Sequence, residues 1–103
     1  MRAICLALPG SAEIVSHGHA AFTNGKRIFA VLEEYHRELS LCVKVRLTLQ
    51  AVFLADPRFY LTPYAGKQGW VSLKVHAAPI DWKEIAGLLE GSHAVCLTAA
   101  RRR

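Results

Sequence analysis

Hydrophobic positions along this chain recur with two different periods, and the switches between them mark the elements. Ile4 and Leu8 lie four apart before Pro9-Gly10, which predicts a short helix over residues 1–8 that is held only by docking. Asn24-Gly25 predicts a two-residue hairpin loop, with a strand arriving at Phe22-Thr23 and another leaving near Lys26. From Arg27 to Glu34 the residues Ile28, Ala30 and Leu32 alternate with Phe29, Val31 and Glu33, and both rows are mostly apolar, as in a central strand. A polar link, residues 34–37, follows. Leu39, Leu41, Val43, Val45, Leu47 and Leu49 then alternate as a strand would. Val45, Leu49, Val52 and Phe53 also fit one face of a helix. The whole run up to Asp56-Pro57 is too long for a typical strand, so it divides into a strand to about Val43 and a helix from about Val45 to Ala55.

Residues 58–61 read as a brief extended piece and residues 62–66 as loop, with Gly66 and Gly69 bracketing Lys67-Gln68 in a tight turn. Residues 70–76 alternate again. Val71, Leu73 and Val75 take one face, and Trp70, Ser72, Lys74 and His76 take the other. Asp81 with Glu84 three residues later predicts a helix start, with Trp82, Ile85, Leu88 and Leu89 as its buried stripe. Gly91 ends or kinks that helix, and residues 93–98 form another turn or two. The order predicts an α+β two-layer sandwich, an antiparallel sheet with helices on one face. A single domain spans residues 1–100, and Arg101, Arg102 and Arg103 form a basic tail.

Composition narrows the function classes. The chain has 103 residues, 52% of them hydrophobic and 20% charged, enough for one core and too apolar for disorder. Its net charge of +5 includes the three terminal arginines, so the folded body carries a surplus of only about two over its 8 Asp and Glu. The 3 cysteines are widely spaced with no paired motif, which points to a reducing compartment, the cytoplasm, rather than to a disulfide framework or a thiolate zinc site. The apolar run before Pro9 is too short for a membrane span.

The same blocks resemble the MmcQ/YjbR family over nearly the whole length. The resemblance rests on Cys5-Leu6-Ala7-Leu8-Pro9-Gly10, on Gly18-His19 with Phe22, and on Gly25-Lys26 with Phe29-Ala30. Leu39-Ser40-Leu41 and Pro63-Tyr64 with Gly66-Lys67-Gln68-Gly69-Trp70-Val71 complete it. It implies a fold similar to type III secretion chaperones and frataxin-like sandwiches, and a DNA-binding label through a double-wing arrangement. Three features depart from the family pattern: a shortened first helix, Lys44-Val45 where an Asp-Pro-like cap is usual, and His93 where an aromatic residue is usual.

The outward face of the last strand is the candidate site. Trp70 beside Lys74, with Lys44 on the neighbouring strand, Lys67 at the turn and Arg27 near the hairpin tip, suits base stacking with phosphate attraction. Against that stands a partly buried tryptophan among solvated lysines. His17 and His19 share a strand face but lack a third metal ligand. Cys42 beside Lys44 lacks a fixed histidine partner, no carboxylate pair is placed for acid–base work, and Gly66–Gly69 is too short for a phosphate-binding loop. No catalytic residue, metal or cofactor is therefore assigned. The expected function is non-enzymatic nucleic-acid binding, DNA foremost. The alternative is a protein- or small-ligand-interaction module, monomeric or dimeric through a sheet face, and neither reading involves a membrane.

Overall fold

A computed structural model describes residues 2–16, 18–25, 27–35, 38–63, 66–75 and 79–101. Its elements are α1 (Arg2–Ala7), β1 (Ala12–Ser16), β2 (His19–Thr23), β3 (Ile28–Tyr35), β4 (Glu38–Lys44), α2 (Leu47–Leu54), β5 (Phe59–Leu61), β6 (Trp70–Lys74) and α3 (Trp82–Arg101). The strands form one six-stranded sheet in the order β1-β2-β3-β4-β6-β5, antiparallel throughout. The expected α+β sandwich is the fold observed.

The core lies between the sheet and α3. Phe22, Ala30, Leu41, Val43, Val71 and Leu73 share the helix-facing side by their register, and Ile85, Leu89 and Cys96 of α3 meet them. The inward row Val71, Leu73 and Val75 is buried as expected. A bulge between β2 and β3 leaves Phe29 as an extra residue, and it too is fully buried. The α3 side chains hold to that bulged strand: the Ser92 hydroxyl donates to the Phe29 carbonyl at 2.6 Å, and the Cys96 thiol donates to the Ile28 carbonyl at 3.5 Å. His93 packs its ring edge-on to Phe29 at 5.0 Å while Nε2–H donates to the Pro9 carbonyl at 2.8 Å.

Several expectations need correction. The helix does not end at Gly91, because Ser92 and Cys96 anchor its next turn; it runs unbroken to Arg101. Arg101 thus belongs to α3, and Arg102 and Arg103 lie outside the described residues. Asp81 does cap α3, accepting from the Lys83 N–H at 3.0 Å. Trp82, though, is 51% exposed, because the stripe facing the core starts at Ile85. The hairpin is centred one residue later than Asn24-Gly25, since Asn24 N–H donates to the Arg27 carbonyl and Asn24 Oδ1 accepts from Arg27 N–H. The strand β1, which the hydrophobic pattern did not announce, forms the sheet's outer edge.

Candidate nucleic-acid interface

Antiparallel pairing brings four of the five candidate residues to one end of the sheet. β3 begins there just after Arg27, β4 ends there at Lys44, and β6 begins there at Trp70. Lys44 and Trp70 are cross-strand partners. Lys67 lies in the 3-10 turn Gly66–Gln68 that leads into β6 and is exposed. That turn is fixed against the end of β4, because Val45 N–H donates to the Gly69 carbonyl at 2.9 Å. Gln50 of α2 ties the same corner, its side-chain amide donating to the carbonyls of Gly66 and Trp70. Arg27, Lys44 and Trp70 are half-buried.

Arg46 joins this group. It is exposed in the two-residue link between β4 and α2, and the sequence reading passed over it while the strand-to-helix boundary was in question. Its signal was its place two residues after Lys44. Lys74 does not join. It shares the Trp70 face of β6 but pairs with Ser40 near the opposite end, about 13 Å away at the ordinary rise of a strand.

Charge is divided between the two ends. Arg27, Lys44, Arg46 and Lys67 occupy one. Glu33, Glu34, Asp56, Asp81 and Glu84 belong to the half around the other, with Arg58, Lys74 and Lys83 among them. Of the remaining described carboxylates, Glu13 is ion-paired with Arg2 and Glu90 lies on the exposed side of α3. A nearly neutral body thus carries a strong end-to-end polarity. At the acidic end Arg58 binds two carboxylates at once, Glu84 at 2.7 Å and Asp56 at 2.8 Å. The guanidinium holds the Asp56 carboxyl below its usual range, chiefly through those hydrogen bonds.

The middle of the open sheet face is closed rather than open. Ser40, Cys42 and Ser72 project there, as expected, but all three are buried. Tyr60 explains part of this. Its hydroxyl donates to Ser40 Oγ at 2.9 Å, so the side chain reaches from β5 across β6 to β4. Beneath it runs a hydrogen-bonded row: Thr62 with Ser72 at 2.8 Å, Ser72 with Cys42 at 3.2 Å, and the Cys42 thiol with Glu33 at 3.5 Å. Burial, opposed by the Ser72 hydrogen bond, pushes the Cys42 thiol up to about 11, so Lys44 does not make it a thiolate at neutral pH. His19 Nε2 stands 3.8 Å from Glu33, and His17 lies outside the described residues. No group of three His, Cys, Asp or Glu side chains that could hold a metal ion occurs among the described residues. No described helix is long and apolar enough to cross a membrane.

A family model described as YjbR matches residues 6–95. The chain belongs to the YjbR family. Among solved structures it is similar to the crystal structure of Deinococcus radiodurans protein DR2400, which carries a DUF419 domain. The identity is 22%, the TM-score 0.75, and the match covers 91% of this chain and 73% of that one, a likeness of fold. No curated protein matches.

In this YjbR-family chain a concavity lies on the helical side of the sheet. A groove of about 1020 Å³ runs between α2 and α3, walled by Leu47, Leu49, Val52 and Phe53 on one side and by Leu88 and Val95 on the other. Lys44 and Arg46 stand at its basic end, and Asp56, Arg58 and Glu84 at its acidic end.

Proposed function

We propose that this YjbR-family chain is a nucleic-acid-binding module, DNA foremost, that docks phosphates along the basic end of its sheet and stacks a base against Trp70. The observation that carries this reading is the charge division: Arg27, Lys44, Arg46 and Lys67 belong to the same end of the sheet as Trp70, while most carboxylates stand at the other end. The small net surplus of the body is then no obstacle, because a polyanion responds to the local field and is oriented by the opposite pole. An aromatic ring among cations is sequence-tolerant, so the expected mode is backbone-led with little base selectivity.

Titration of a dye-labelled oligonucleotide by anisotropy tests the reading. About four phosphate contacts give a slope of log affinity on log salt of about −3 to −4. Lys67→Ala should weaken binding to every sequence and reduce that slope by about one. Trp70→Ala should remove about 1–3 kcal/mol of single-strand affinity. Lys74→Ala, at the far end, should change little. A flat titration at low salt sinks the proposal, and so does a Lys74 variant as impaired as the Lys67 one. The alternative, an interaction module for another surface, draws on the groove between α2 and α3, which shares Lys44 and Arg46 with this end.

A further inference from the structure

Among the described residues nothing covers the outward apolar surface of α2. Its eight residues include no charged side chain and none is buried; Leu47 is 62% and Val52 68% exposed. The inward contacts are made by half-buried Gln50, Phe53 and Leu54 instead of the Leu49–Val52 face that the hydrophobic spacing suggests. Contiguous exposed apolar surface of this kind, here Leu47, Leu49 and Val52, marks an interface. Beside it runs the groove, whose α3 wall is low at Gly87 and Gly91, where an added Cβ would meet nothing within 4 Å. The apolar surface also extends past the groove over exposed Ala51 and Ala55. A small molecule seated in the groove would leave those positions in water, whereas a protein ridge would cover both.

The charges at the two ends select which protein. At the start of α2 stands Arg46, with no capping side chain and no acidic residue in the first turn. At the other end two carboxylates, Asp56 and Glu84, share the single guanidinium of Arg58, which leaves a net negative charge. The surface therefore calls for an apolar ridge that is acidic at one end and basic at the other. The same surface turned end for end meets that description.

We propose that two copies of the chain pair through this face, α2 antiparallel to α2 about a two-fold axis near the middle of the helix. Val52 of each copy seats on the Gly87–Gly91 shelf of the other, and Arg46 of each lies by Asp56 and Glu84 of the other. Every contact is made twice, as an isologous interface requires. This pairing uses the helical side of the molecule, shares Arg46 with the basic end of the sheet, and does not rest on the nucleic-acid reading.

Sedimentation velocity over a concentration series should give the mass of a dimer. Val52→Asp should raise the dissociation constant at least about tenfold, since a charge would enter an apolar contact twice. Its thermal midpoint should hold when measured well below that constant, because Val52 faces water in the single copy. Arg46→Glu should also weaken pairing. Cys5, Cys42 and Cys96 are buried, so an Ala51→Cys variant near the axis should form an interchain disulfide under mild oxidation, and Lys83→Cys should not. A monomer at every concentration overturns the proposal. So does a dimer indifferent to Val52→Asp or Arg46→Glu, or one that fails to cross-link through position 51.

Discussion

Ser92 accepts from the Lys44 N–H at 2.8 Å and donates to the Phe29 carbonyl at 2.6 Å. Both backbone groups lie just past the Ala30–Val43 pair, where the β3–β4 ladder stops, so one buried hydroxyl completes what the strands leave undone. Ser92→Ala should therefore cost about 1–3 kcal/mol, seen as a lower denaturant midpoint with an unchanged slope. Little in the sequence marks this residue. A serine midway along a helix has no periodic signature, and its partner carbonyl is freed by a bulge that no spacing announces. Trp70 and Lys67 were readable because the turn chemistry of Gly66–Gly69 and the alternation after it are local. Arg46 was not, because its exposure depends on where a strand gives way to a helix.

At the scale of elements, the long alternation from Leu39 to Leu49 resolves into β4 and α2, divided by a two-residue link. Gly69 shows what holds that division in place. Its φ is +96°, and an added Cβ would come within 2.5 Å of the Val45 carbonyl oxygen, a backbone atom that cannot turn aside. Gly69→Ala should destabilise by about 2 kcal/mol or more and loosen the link with the Lys67 turn, a change visible as faster amide exchange at Val45. Elements whose apolar residues fall largely on one row, β4 and β6, were legible from their period. β1 was not, because a short edge strand exposed on both sides has no apolar row to betray it; Val15 is 79% exposed. Trp82 misled for the opposite reason, since a large apolar residue at helical spacing need not lie on the inward side.

For the molecule as a whole, counting charges hides what folding does with them. A surplus of about two argues weakly for an anionic partner, while the antiparallel order places most cations and carboxylates at opposite ends. Only the pairing of distant strands reveals this. The buried thiols make a second global property. Burial pushes Cys5 and Cys42 up to about 11 from an ordinary 9.0, so between those values the unfolded chain has lost protons that the folded chain retains. Stability from this source is complete below about pH 9 and declines as pH rises towards 11. Thermal midpoints should fall across that window, and Cys42→Ser should flatten part of the fall. The strand order has one more consequence, for the path by which the chain reaches this state. The first four strands form a meander of adjacent hairpins, which can zip in sequence with little loop to close. β4 instead meets β6 across partners such as Cys42 and Ser72, thirty residues apart, with α2 and β5 in the intervening excursion. Closing that excursion is the slow event expected in refolding, so substitutions at Gly69, and those in the β2–β3 hairpin that forms before it, should retard the rate of folding and change the rate of unfolding little.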